Sequence, residues 1–358
     1  MVLRAGITSS GLWRIRKTVH AVTGYDLIYA CGRAEPADYD VLVGWGRRPS
    51  ARDARALAAA SGKPFLTMED GFLRSVQPGP EEAPASIVMD WTGVHYDAHA
   101  PSEFEDVVEA CAKDRSAIAS ARARAGMHLL RELAVSKYNN APQLTELALG
   151  LGRRPQGGRV LVVDQTMGDG AIYYGMASET TFTEMLAAAK AENPGAQIIV
   201  KTHPEVVSGR KRGYLSGADG DGVVLIDAPV NPWSLIQAVD QVYVVSSLLG
   251  FEALLAGARV SCFGAPFYAG WGLTADRIVI ARRKARPSLE QLFSAAYLQY
   301  SRYAHPVTGE KIEFEDAVLH LAKARDQALG VRRERRSKRA AIDNVAAGAR
   351  WGSAAASA

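Results

Sequence analysis

The chain has 358 residues, 48% of them hydrophobic, and a formal net charge of +4; that is material for one large α/β domain or two ordinary ones with a sizeable core. No apolar run reaches the roughly 18 uncharged residues of a membrane helix, and the start lacks a basic segment followed by an apolar stretch, so a soluble cytoplasmic protein is expected. Residues 331–358 carry seven basic and two acidic side chains, which leaves the rest of the chain near −1; this argues against nucleic-acid binding and for a basic tail, either solvated or drawn to the anionic inner face of a membrane.

In chain order, residues 1–150 alternate short strands with helices in a first Rossmann-like domain. Asp40–Gly44 reads as a strand, Ser50–Ser61 as an Ala-rich helix and Pro64–Met68 as a second strand. A Pro-rich loop (77–84) leads to a strand pair, 86–89 and 94–96, with 90–93 as its turn, and then to one long helix over 102–133. The breaker-rich stretches 139–142 and 150–158 read as an interdomain linker.

Residues 158–288 restart the rhythm as a second Rossmann-like domain: strand 159–163, helix 180–192, strand 197–201 ending at His203-Pro204, strand 223–225 and helix 232–239. Tyr243–Val245 is an apolar run suited to a buried parallel strand, and Ser246 and Ser247 stand where the next helix needs caps. A Gly/Pro/Trp loop, Ala265–Thr274, can wall a small-molecule pocket. Residues 289–330 read as two helices, 289–303 and 314–328, packing back across both domains. The fold class expected is therefore α/β, with two Rossmann-like domains facing across a cleft. Cys31, Cys111 and Cys262 have no metal-ligand spacing and read as reduced and structural.

Four groups at strand ends carry candidate chemistry. Glu69-Asp70-Gly71 can place one carboxylate in the cleft for proton exchange while the other caps the turn, although an ordinary acidic turn fits the same residues. Asp169 stands between Gly168 and Gly170, exposed enough to act as a nucleophile, or as a plain Asp-Gly turn. Lys201 and His203, two apart at a strand end, suit a phosphate or carboxylate, with Pro204 fixing the exit of the chain, although a lone histidine is more often structural. Ser246 and Ser247 could meet a phosphate and Glu252 ribose hydroxyls, although Glu252 fits plain helix surface as well. Arg47 and Arg48 could hold an acceptor phosphate or remain exposed charge. Gly44-Trp45-Gly46 lacks the third glycine of a dinucleotide fingerprint. Asp219-Gly220-Asp221 sits in turn sequence and reads as a solvated loop, so no metal site is expected.

Eight motifs in order resemble one family: Gly-Leu-Trp13-Arg14-Ile, Trp45-Gly-Arg-Arg-Pro-Ser50, Glu69-Asp-Gly-Phe-Leu-Arg-Ser75, Ser136-Lys137-Tyr138-Asn139, Val-Val-Asp-Gln-Thr with Asp169, Lys-Thr-His-Pro204, Gly-Phe-Glu-Ala-Leu-Leu-Ala-Gly257 and Ala-Pro-Phe-Tyr-Ala-Gly-Trp-Gly-Leu-Thr274. The chain resembles the capsule polysaccharide biosynthesis proteins of the KpsC type, retaining β-Kdo glycosyltransferases of Gram-negative bacteria with a GT-B-like shape. The resemblance implies transfer of Kdo from CMP-β-Kdo to a lipid-linked Kdo glycan, with Asp169 as nucleophile and Glu69 as acid/base. It implies donor contacts from Lys201, His203, Pro204, Ser246, Ser247, Glu252 and Gln165, and acceptor-side or supporting roles for Asp70, Arg74, Arg47 and Lys137. No cofactor or metal is implied, since these groups can neutralise the departing phosphate. Fuller members carry two modules in tandem, and this sequence is more like the N-terminal one. Capsule assembly and export proteins, at the periphery of the inner membrane, are the implied partners. A non-catalytic assembly or export factor that binds a CMP-sugar or glycolipid, and a sugar-nucleotide epimerase, are the competing functions.

Overall fold

Alternating apolar runs and Gly-punctuated helices build two sheets in the computed structural model, which describes every residue except 1, 31–34, 208, 210, 216–221 and 332–358. The basic tail, Cys31 and the Asp219-Gly220-Asp221 sequence therefore lie outside the described residues. The first sheet has seven strands. Four of them, Asp26–Tyr29, Arg4–Ile7, Val41–Trp45 and Phe65–Asp70, are parallel in that spatial order. Ser86–Asp90 pairs antiparallel with Phe65–Asp70, and Ser301–Ala304 and Lys311–Ile312 complete the sheet from the far end of the chain. The second sheet has six strands, all parallel: Ala275–Asp276, Arg259–Cys262, Gln241–Val244, Arg159–Val163, Gln197–Lys201 and Val223–Ile226. Strands buried on both faces under helices carry continuous apolar side chains, as Val160, Leu161, Val162 and Val163 do. This is the α/β class with two Rossmann-like sheets that the alternating pattern predicts.

Three expected elements differ. Residues 94–96 form no strand, because the Asp90 carboxylate accepts from the N–H groups of Thr92, Gly93 and Glu103 and folds the chain into a loop; Ser86–Asp90 pairs with Phe65–Asp70 instead. The long helix over 102–133 is two, Glu103–Lys113 and Ala117–Leu133, parted where Ser116 caps the second through the N–H of Ala119. The helix expected over 289–303 is Leu289–Phe293 followed by π-helical turns, Ser294–Tyr300, and its last residues become the strand Ser301–Ala304. Arg4–Ile7 and Asp26–Tyr29 add two strands that the sequence pattern does not predict.

The halves share one core. Phe72 and Leu73 from the first sheet's edge, Phe251 and Phe267 from the second half, and Phe293, Tyr297 and Phe314 from the C-terminal helices belong to one buried apolar cluster. Phe72 packs on Phe267 with ring centroids 4.5 Å apart. Buried Arg283 and half-buried Arg282 reach Glu105 at 2.7 and 2.6 Å, and Trp233 Nε1 donates to the Val135 carbonyl at 3.0 Å. A desolvated, hydrogen-bonded junction of this kind holds the strand ends of the two sheets in fixed register.

Candidate functional site

The carboxyl ends of two neighbouring parallel strands of the first sheet, Val41–Trp45 and Phe65–Asp70, deliver Arg47, Glu69 and Asp70. Gly46 has φ +52, and a side chain there would collide with Glu69 Oε2 and the Tyr96 hydroxyl, so glycine gives both the turn and the room for the carboxylate. Tyr96 accepts from the Arg47 N–H at 3.0 Å. Arg47 itself is paired with buried Asp97 at 2.7 Å. Half-buried Glu69 accepts from the Asp70 N–H at 2.9 Å. Loss of water, followed by the adjacent negative charge of Asp70, pushes its carboxyl up to about 7. Asp70 is held by Arg74 at 3.0 Å, as an ion pair lacking hydrogen-bond geometry at Oδ1.

Lys137 faces these acids. It follows the helix Ala117–Leu133, whose last turn ends on Ala134 at φ 48, a left-handed conformation uncommon for a residue with a side chain. Its carbonyl accepts from the N–H groups of Arg74 and Ser75 at 3.1 and 3.2 Å. Its own N–H donates to Glu252, which reaches across from the second half, and Ser136 Oγ donates to the same carboxylate at 2.5 Å. Burial opposes the charge on Lys137, yet Tyr138, Asp70, Glu69 and Asp169 outweigh it and its pKa is raised. Lys137 is thus where acids of both halves converge.

In the second half, Asp169 caps the short helix Gly170–Tyr174 by accepting from the Ala171 N–H at 3.0 Å, and it is exposed. Its charge reaches His203 as well as Lys137. His203 is half-buried, with its pKa lowered by burial against the pull of Glu205 and Asp169. The helix from Asp169 ends against Ser246, whose Cβ lies 3.2 Å from where a Gly175 side chain would start. Tyr174 of that helix meets Tyr96 at 5.9 Å and Arg47 at 6.0 Å, which closes the contact between the halves beside Glu69.

Glu69, Asp70 and Asp169 therefore lie within electrostatic reach of Lys137, Arg74 is paired with Asp70, and His203 is within reach of Asp169, with Arg47 at the margin. The remaining candidates are engaged elsewhere. Gln165 is buried, donating to Ser246 Oγ at 3.0 Å and accepting from the Ser246 N–H at 2.9 Å. Ser247 Oγ accepts from the Leu249 N–H at 3.3 Å. Lys201 turns inward to the carbonyls of Ala228 and Ile226 at 3.0 and 3.4 Å, and burial lowers its pKa to about 8. Glu252 is 2% exposed under Lys137, a position closed to a ribose as the chain stands. Burial pushes it up to about 7, with the Ser136 and Lys137 donors opposing. Pro204 opens the helical turn Pro204–Val207, and its ring lies outside the described residues. Among the described residues no three His, Cys, Asp or Glu side chains are grouped to hold a metal ion, and no helix is long and apolar enough to cross a membrane.

Tyr96 and Asp97 join the site although the sequence pattern points to neither, since residues 94–96 read as a strand. The density of polar groups in His95-Tyr96-Asp97-Ala98-His99 is the available sign of a functional loop. Buried His95, packed on Phe72 and Tyr96, lies under the field of Lys137 and is lowered to about 3, chiefly by burial.

The capsule polysaccharide biosynthesis proteins match this chain over residues 40–147 and 134–303. The chain belongs to that family. The capsule polysaccharide modification protein LipA of Neisseria meningitidis serogroup B is 44% identical over 331 residues, covering 90% of this chain and 46% of LipA. The lipopolysaccharide-processing protein LpsZ of Rhizobium meliloti is 37% identical over 82% of this chain and 66% of its own length. The chain thus spans about half of LipA and just under two thirds of LpsZ. Two solved structures from Thermosulfurimonas dismutans are similar over 90% of this chain: the KpsC β-Kdo 2,4 transferase, 39% identical with a TM-score of 0.83 over 98% of its chain, and the KpsC β-Kdo 2,7 transferase, 28% identical with a TM-score of 0.66 over 99%.

Proposed function

We propose that this protein is a retaining β-Kdo transferase of capsule synthesis, taking Kdo from CMP-β-Kdo and adding it to a Kdo-terminated glycolipid by double displacement. The observation that carries the reading is the convergence of Glu69, Asp70 and Asp169, acids from both halves, on Lys137. In the first step the Asp169 carboxylate attacks the anomeric carbon and CMP leaves with the bonding electron pair, forming an ester. In the second, Glu69 takes the proton of an acceptor hydroxyl, whose oxygen attacks the same carbon and returns Asp169 to a free carboxylate. Two inversions give retention. A base needs a pKa near the working pH, and the raised carboxyl of Glu69 meets that need.

Lys137 supplies positive charge for the departing phosphate, and neutral His203, whose Nδ1 accepts from the Glu205 N–H, offers its Nε2–H as a donor; no metal enters this reading. The similarity to the 2,4 transferase, with TM-score 0.83, supports a 2,4 linkage over a 2,7 linkage. The test is incubation with CMP-Kdo and a glycolipid ending in Kdo. CMP release with a new 2,4-linked β-Kdo by NMR, and a Kdo ester on Asp169 by peptide mass spectrometry, is the expected result. Binding of CMP-Kdo without CMP release over long incubation would favour an assembly factor instead.

A further inference from the structure

One motif takes no part in this chemistry: Gly-Leu-Trp13-Arg14-Ile. Trp13 belongs to the helix Ser10–Arg14, which follows the strand Arg4–Ile7, and Tyr29 ends the neighbouring strand. The two rings lie 5.3 Å apart at 37°, yet both remain open, Trp13 36% and Tyr29 42% exposed. A Trp–Tyr pair left facing water is unusual, because large rings are normally drawn into the core. Arg16 stands with its guanidinium 5.1 Å from the Trp13 ring and donates to the Trp13 carbonyl at 3.1 Å. That bond fixes the cation beside the ring and leaves donors for a carboxylate.

The pair shares an edge with the reaction site. The strands ending at Tyr29, Ile7, Trp45 and Asp70 are consecutive neighbours in the sheet and all parallel, so their carboxyl ends emerge together. With strands about 4.8 Å apart, Tyr29 lies roughly 14 Å along that edge from Glu69. Arg48, exposed between them, is close enough for its charge to act on Glu69. The edge thus runs from the acid/base, past a cation, to a flat aromatic platform with a second cation.

From this we infer that Trp13, Tyr29 and Arg16 form a distal acceptor subsite, which stacks the apolar face of an acidic sugar residue remote from the reacting end and pairs with its carboxylate. The inference rests on the proposed transferase activity and deepens it, since a growing chain of carboxylate-bearing sugars is the ligand that matches a ring pair and an arginine spaced from the base. A lipid surface would also accept Trp, Tyr and Arg, but the platform is only two rings wide and is aligned with the active edge.

The test uses the full chain and two synthetic glycolipids, one ending in a single Kdo residue and one in a chain of several. Trp13→Ala, Tyr29→Ala and Arg16→Gln should raise KM for the longer acceptor about fivefold to tenfold with kcat unchanged, the pattern expected when uniform binding is removed. The short acceptor, which does not reach the pair, should keep its KM. Equal effects on both acceptors, or none on either, overturn the subsite. If the unmodified protein transfers to neither acceptor, the transferase reading fails, and the subsite is then read alone by saturation-transfer NMR with a free Kdo oligosaccharide: a weaker transfer signal in Arg16→Gln supports it and an unchanged signal overturns it. Should Trp13→Ala not fold, Arg16→Gln, an exposed change, carries the kinetic test. Weakened sedimentation with phosphatidylglycerol vesicles but unchanged oligosaccharide binding in these variants would make the patch a lipid-facing surface and overturn the subsite.

Discussion

The strand ends of the two sheets treat charge in opposite ways. Beside the first sheet Arg74 pairs with Asp70, the charge of Asp70 acts on partly buried Glu69, and both acids act on Lys137. In the second, Asp169 stands exposed, its side chain hydrogen-bonded among the described residues to its own helix, while Lys201 and Glu252, equally well situated in the sequence, are turned inward to Ala228 and Ser136. The difference teaches that a charged residue after a strand is presented or consumed according to what the neighbouring element offers it. A tunable acid/base needs the buried environment; a nucleophile that must reach a carbon needs the open one.

The largest effect that separates the two environments is expected from Asp169→Asn. Asparagine caps a helix as well as aspartate, so stability should move by no more than ~0.5 kcal/mol in urea melts, while transfer falls on the order of 10⁴-fold or more because no ester can form. Full turnover in this variant would remove the double displacement and leave the fold standing. Glu69→Gln comes next, with transfer lowered about 10²–10⁴-fold and stability moved the other way. The folded carboxyl titrates near 7, above its value in the unfolded chain, so the native state holds a proton that the unfolded chain has released. That contribution is complete below about pH 4.5 and is lost as pH rises through about 7. Glu69→Gln should therefore be more stable than the parent at pH 8, by ~1–3 kcal/mol, and alike at pH 4. Parallel urea melts at the two values check this. An unchanged difference between them would mean that Glu69 is not desolvated as described.

How much of this is legible in the sequence depends on range. Strands such as Val41–Trp45, Arg159–Val163 and Gln197–Lys201 announce themselves by apolar, β-branched runs, and Glu69 and Asp169 by glycine neighbours at the ends of such runs. The strand Ser301–Ala304 is hidden because the helical apolar pattern of Leu289–Tyr300 runs into it without a breaker, and only pairing with Ser86–Asp90 pulls it out. Residues 94–96 look like a strand until the Asp90 carboxylate takes the turn's N–H groups. The fate of Glu252 cannot be read at all, since it is decided by Ser136, 116 positions away in sequence.

That contact gives a third, smaller effect. Ser136→Ala leaves the Glu252 carboxylate buried with one donor fewer, at a cost of about 1–3 kcal/mol. Because Glu252 and the carbonyl bonds from Arg74 and Ser75 fix the backbone of Lys137, kcat should fall about tenfold while KM for CMP-Kdo holds. Ser136→Thr, which keeps the hydroxyl, should recover most of kcat. Loss of stability with no change in kcat would reduce Glu252 to an anchor between the halves.

The smallest effect belongs to Lys201, and it bears most directly on the comparison. If its ammonium is consumed by the Ile226 and Ala228 carbonyls, Lys201→Met should change KM for CMP-Kdo by less than about tenfold, or 1.4 kcal/mol. Its pKa, lowered to about 8 by burial with Asp227 opposing, adds a second signature. Between about pH 8 and the unfolded value near 10.5 the native state has released a proton that the unfolded chain retains. Parent stability should therefore rise with pH across that window, and Lys201→Met should lack the rise. If KM instead increases more than tenfold while the stability profile loses its slope, the same ammonium must leave the carbonyls when nucleotide arrives. The second sheet would then hold its donor charge in reserve, and the contrast with the first sheet would describe only the protein without nucleotide.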